Sequence, residues 1–169
     1  MDMTAWLAGD TTGLPPLEMF LRLAIAGVLG AMVGFDRELK NKPAGLRTHT
    51  LIAIAAALFT LITLELYDEL AEANGKQGLD PFRIINAVTS GVAFIAAGAI
   101  IRSGATVRGL TTGANMWLAG AIGLACGAGF YTLATLGAVF SFVIITLLQG
   151  LEKHYFKDPH DKHDEPPST

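Results

Sequence analysis

The sequence predicts an all-α fold, a polytopic membrane bundle of about five transmembrane helices with the N-terminus outside and the C-terminus in the cytoplasm. Three observations carry this. First, 51% of the 169 residues are hydrophobic and only 16% are charged, against roughly 25% charged in a soluble domain, and the mean hydropathy is +0.46. Second, apolar runs near the ~20 residues needed to cross a hydrocarbon layer recur along the chain. Third, 19 glycines accompany only 8% aromatics, a balance that suits closely packed membrane helices. A net charge of -3 supplies no basic surface, which sets nucleic acid aside as a partner. The one cysteine, Cys126, has no partner for an internal disulfide and lies in an apolar run, as a small buried residue would.

Residues 1–16 are expected to form an external segment and not a signal peptide. Asp2 and Asp10 stand where positive charge would be needed, and Trp6 suits an interfacial anchor. Residues 17–151 form the transmembrane domain, and residues 152–169 a polar cytoplasmic tail. The first span is predicted over Leu17 to Phe35, the second over Thr50 to Leu66 and the third over Ile84 to Ile101. Leu110 to Leu151 then runs apolar for 42 residues, which as one helix would be about 63 Å long, twice a bilayer core. It must fold back, and Gly127-Ala128-Gly129 is the natural turn, giving spans from Thr112 to Cys126 and from Phe130 to Gln149. Asp80-Pro81 reads as the N-cap of the third span, Thr111-Thr112 as that of the fourth, and Thr48 or Thr50 as that of the second.

Orientation follows from the Lys and Arg count. The first loop, the third loop and the C-terminal tail together hold nine, whereas the opposite side holds Lys76 and Arg83, beside an acidic outer loop from Tyr67 to Arg83. Gly45-Leu46-Arg47-Thr48 and Gly109-Leu110-Thr111-Thr112 occupy matching places, so spans one and two read as a parallel copy of spans three and four, or as two similar threonine-capped turns.

The densest polar feature is a cytoplasmic charged cluster of Asp36, Arg37, Glu38, Arg47, His49, Arg102 and Arg108. Carboxylates two apart on a helix point in different directions, so each is expected to clamp an arginine of a neighbouring loop, Arg47, Arg102 or Arg108, in a structural or ligand-holding role. Asn86, Thr89 and Ser90 of span three, with Asn115 of span four, are expected to form an interior polar face, as interhelical contacts or as a substrate path. Gly30, Gly34, Gly91, Gly98, Gly123 and Gly127 are the expected helix-packing positions, and Ala53 and Ala57 share their four-residue spacing. Arg22 stands one turn after Glu18, an i, i+4 pair expected to snorkel to the outer interface. His154, His160 and His163 read as a solvated tail, with loose metal binding as the alternative. No phosphate-binding glycine loop and no serine or zinc protease motif is present, so no enzyme activity and no cofactor are expected, and no metal site is assigned.

In order, Gly34-Phe35-Asp36-Arg37-Glu38, Ala44-Gly45-Leu46-Arg47-Thr48-His49, Gly91-Val92-Ala93-Phe94-Ile95-Ala96-Ala97-Gly98 and Arg108-Gly109-Leu110-Thr111-Thr112 with Trp117 resemble the MgtC/SapB family of bacterial inner-membrane proteins. The third motif departs from the family's G-I-G-F-L-G-A-G, with Ala93 and Ala96 in place of two glycines. The resemblance implies a protein tied to magnesium-limited growth and, in pathogens, to survival in macrophages, with ATP synthase as a partner of some members. It implies no settled biochemical activity. Many relatives carry a soluble domain after the last span, which this chain, ending 18 residues past Leu151, is expected to lack. The expected function is a non-enzymatic regulator contacting lipid, copies of itself and another membrane complex. The alternative is a small transporter or channel for an ion such as Mg²⁺.

Overall fold

The computed structural model describes residues 13–74, 80 and 82–155. Among the described residues five helices make up the bundle: α1 (Pro16–Leu39), α2 (Leu46–Asn74), α3 (Arg83–Gly98), α4 (Leu110–Gly127) and α5 (Tyr131–Tyr155). This is an all-α membrane bundle, with one small addition. Between α3 and α4 the chain forms an antiparallel hairpin of β1 (Ile101–Ser103) and β2 (Thr106–Arg108), with Arg102 opposite Val107. The third span, expected through Ile101, is helical only as far as Gly98. The β-branched pairs Ile100-Ile101 and Thr106-Val107 on either side of Ser103-Gly104 were the signal for a hairpin.

Local chemistry sets the ends. Pro16 opens α1, where a missing N–H costs nothing, and Glu18 sits in its first turn. The helix stops where Asn41 takes a left-handed φ of 48°, with the Asn41 and Lys42 amides donating to the Glu38 and Arg37 carbonyls at 3.1 and 3.0 Å. Two such crossed bonds satisfy carbonyls the helix end would leave open. The same device closes α4: Gly129 has φ 82°, and the Gly129 and Phe130 amides donate to the Cys126 and Ala125 carbonyls at 3.0 and 2.8 Å. The turn expected at Gly127-Ala128-Gly129 is therefore present.

Three predicted caps are revised. Asp80 accepts from the Phe82 amide at 3.0 Å, but α3 begins only at Arg83; Pro81 lies outside the described residues. Thr111 and Thr112 lie inside α4, whose N-cap is Gly109 at φ 88° with no side-chain cap. Neither Thr48 nor Thr50 starts α2; the helix begins at Leu46, whose amide is capped from outside by Glu38. Helices α1, α2 and α5 also outrun their predicted ends, since a polar sequence outside hydrocarbon can stay helical. The Tyr67 to Arg83 segment expected as a loop is helical as far as Asn74.

Among the described residues three helices are long and apolar enough to cross a membrane, over Pro16–Leu39, Leu46–Ala71 and Tyr131–Leu148. The third helix is a shorter apolar one of 16 residues. The fourth packs against all four others and forms the axis of the bundle. Its buried Gly113, Ala119, Gly120 and Gly123 let neighbours approach. One core joins Ala26, Leu29 and Val33 of α1 to Ala53 and Ala57 of α2, Ile122 and Cys126 of α4, and Ala134 and Ala138 of α5. A second, on the other side of α2 and α4, gathers Ile52, Ala56, Met116 and Ala119 around Val88, Val92 and Ala96 of α3.

Candidate functional site

Helix α1 ties itself to α4 at both ends. At the end carrying the α4–α5 turn, Arg22 pairs with Glu18 and donates from Nη1 to the Gly127 carbonyl at 2.6 Å. The expected pair is formed, but the guanidinium turns into the bundle rather than snorkelling out, and only 9% of the residue is exposed. At the other end the Arg37 Nη2 donates to the Thr112 hydroxyl. Fifteen residues separate Arg22 from Arg37, and fifteen separate Thr112 from Gly127. Both intervals are about 22 Å of helix, so the two antiparallel helices are held in one register.

The Arg37 end is the candidate site. Arg37 is 3% exposed and His49 is wholly buried. The His49 Nδ1 lies 2.7 Å from the Gly45 carbonyl, which can only accept, so Nδ1 carries the proton and Nε2 presents a lone pair. That Nε2, Arg37 Nε, Asp36 Oδ2 and Asn115 Nδ2 are buried without a hydrogen-bond partner. Asn115 lies one turn beyond Thr112 on the same face of α4. Two donors and two acceptors, carried by α1, α2 and α4, thus stand buried and open, groups that ordered water could satisfy.

The two carboxylates do diverge, but neither clamps a loop arginine. Asp36 pairs with Lys40, one turn along α1. The Glu38 Oε2 folds over Gly45 and accepts from the Leu46 amide at 2.9 Å, and a Cβ on Gly45 would lie only 1.8 Å from that oxygen. Arg47, Arg102 and Arg108 are exposed, and Arg102 donates from Nε to the Gly104 carbonyl at 3.1 Å. The reason is geometric: α1 stays helical through Leu39, which puts Lys40 within reach of Asp36 and carries Glu38 to the start of α2. Sequence reasoning missed Lys40, although its i, i+4 spacing was the signal, and missed Thr112 as the partner of Arg37, for which sequence offers no signal.

The expected interior polar face is not one. Val88, Val92 and Ala96 are the buried residues of α3, and at about 100° per residue positions two away fall on the opposite side. Asn86 and Ser90 therefore face away from the bundle, and Thr89 is half-buried with its hydroxyl donating to the Ile85 carbonyl. Only Asn115 is interior. Among the packing glycines, a Cβ on Gly30 would lie 2.7 Å from that of Ala53, one on Gly34 2.8 Å from the Gly45 carbonyl oxygen, and ones on Gly123 and Gly127 2.2 and 2.6 Å from the Ala53 and Ala57 oxygens. Gly91 and Gly98 meet nothing within 4 Å. Among the described residues no three His, Cys, Asp or Glu side chains gather as a metal site. Trp6 and the tail histidines lie outside the residues whose side chains are described.

Residues 23–154 match the family described as the MgtC family. "Putative magnesium transporter YhiD" of Escherichia coli strain K12 is 36% identical over 134 residues, 79% of this chain and 62% of that protein. "Protein SapB" of Bacillus subtilis strain 168 is 38% identical over 132 residues, 78% of this chain and 56% of its own length. "Protein MgtC" of Brucella abortus strain 2308 is 37% identical over 129 residues, 76% of this chain and 50% of its own. The chain thus spans between half and less than two thirds of these relatives. No solved structure matches it significantly.

Proposed function

The chain belongs to the MgtC family, and from that premise we propose that it is a non-enzymatic, multi-pass protein of the bacterial inner membrane that supports growth at low magnesium by contacting another membrane complex through α3. One observation carries this reading. Helix α3 turns Asn86 and Ser90 away from its own bundle, next to the open Gly91. Polar side chains at membrane depth are satisfied by other helices, and a glycine surface lets one come close. The cytoplasmic side is the end with the α1–α2 loop and the hairpin, where the positive charge lies. ATP synthase is the membrane complex to test first.

The test combines growth and transport. Asn86→Leu with Ser90→Leu changes only exposed side chains, so folded yield stays as in the wild type while growth at low magnesium is lost. A photoreactive residue at position 90 forms an adduct with a membrane protein, and one at the buried Val33 does not. The competing reading, magnesium transport, is favoured by the name YhiD carries and by the unpartnered polar atoms around Arg37. Magnesium flux by the purified chain in proteoliposomes, with growth unaffected by the α3 substitutions, would replace the contact reading with transport.

A further inference from the structure

The β1–β2 hairpin has no role in the contact reading, and its surroundings do not support it. All six of its strand residues are exposed, and neither strand packs on a helix beyond fringe contacts. A lone two-stranded hairpin is marginal in water. Among the described residues no helix face covers it.

Its composition changes along its length. At the base are Ile101, 65% exposed, paired with Arg108, and then Leu110, 59% exposed at the start of α4. The middle row is Arg102 with Val107. The tip is Ser103, Gly104, Ala105 and Thr106. The two rows nearest the base thus each pair an aliphatic side chain with an arginine, and the tip is small and polar. Three residues of strand rise about 10 Å, close to the roughly 5–8 Å headgroup layer on each side of a bilayer. The preceding helix, α3, has 16 residues and is about 24 Å long, short of a hydrocarbon core of about 30 Å. A short helix draws its flanking residues toward the hydrocarbon boundary.

Neither arginine forms an ion pair; the two among the described residues are Arg22–Glu18 and Lys40–Asp36. The Arg102 Nε is held by the Gly104 carbonyl, which fixes the guanidinium near the tip with its two terminal nitrogens open. A planar guanidinium suits a phosphodiester oxygen pair. We propose that the β1–β2 hairpin stands across the headgroup layer and binds the phosphate of anionic phospholipids through Arg102 and Arg108, with Ile101 and Leu110 at its base seated at the acyl boundary. It is a lipid site independent of the α3 contact.

Hydrogen exchange of the amides of residues 101–108 tests this on the full chain in nanodiscs of phosphatidylcholine alone or mixed with phosphatidylglycerol. Phosphatidylglycerol is expected to slow exchange by roughly tenfold or more, given the attraction of two arginines to an anionic surface. Arg102→Gln with Arg108→Gln abolishes that difference, and Arg102→Lys with Arg108→Lys retains part of it. Equal exchange in both lipids overturns the proposal, and so does protection that survives the glutamine substitutions. Protection by inorganic phosphate added to phosphatidylcholine discs overturns the lipid assignment in favour of a soluble anion. If the glutamine variant fails to fold, the lipid comparison on the wild type and the lysine variant decides.

Discussion

The α1–α2 pair and the α3–α4 pair begin from similar sequence and end as different structures. Gly34 precedes Gly45 by 11 residues, and Gly98 precedes Gly109 by the same 11. Each second glycine leads into Leu, any residue, and Thr at the head of a helix. In the first pair the connection is closed. Gly34 lets α1 press against the Gly45–Leu46 backbone, Asn41 turns the chain, and Glu38 caps α2. In the second, a Cβ on Gly98 would meet nothing within 4 Å among the described residues, a hairpin replaces the tight loop, and the head of α4 has no side-chain cap. The difference teaches that a shared helix-start motif sets where a helix begins, while the residues arriving from the previous helix decide whether the joint is rigid. The first pair is built as scaffold, and the second keeps an outward face.

The largest test of this contrast is steric. Gly34→Leu should destabilise the bundle by about 3 kcal/mol or more, because backbone atoms cannot yield as a side chain can, and folded yield in detergent should collapse. Gly98→Leu, in open space, should shift the melting temperature little. Equal losses would remove the distinction between a closed and an open pair.

Next in size is the polar tie. Arg37→Met should cost about 1.5–3 kcal/mol, the usual scale for a charged hydrogen bond, and a double-mutant cycle with Thr112→Val should show coupling of about 1 kcal/mol or more. The same cycle on Asp36→Ala and Arg47→Ala should give coupling near zero, since Asp36 pairs with Lys40. Strong Asp36–Arg47 coupling would restore the loop-to-loop clamp and sharpen the site differently.

The smallest effect concerns the caps. Glu38→Ala should cost about 1 kcal/mol, the typical worth of a lost N-cap, measured as denaturant stability in mixed micelles. Thr111→Ala at the corresponding head of α4 should cost less than half of that, because Thr111 provides no cap there. A reversal would mean that the two helix starts are held alike.

The sequence by itself determined the bundle, its approximate spans, the turn at Gly127-Ala128-Gly129, the Glu18–Arg22 pair and the close approach at Gly30, Gly34, Gly123 and Gly127, because hydropathy, turn glycines and i, i+4 spacing are local properties. Only the tertiary structure decided that Asn86 and Ser90 face outward, that Glu38 caps a helix eight residues on, that Arg37 reaches Thr112 75 residues away, and that Gly91 and Gly98 pack against nothing among the described residues. These depend on how each helix is rotated about its axis and on which neighbour α4 presents to it. A rotation of half a turn changes no residue's spacing along its own helix, yet it exchanges the face in the core for the face in the membrane.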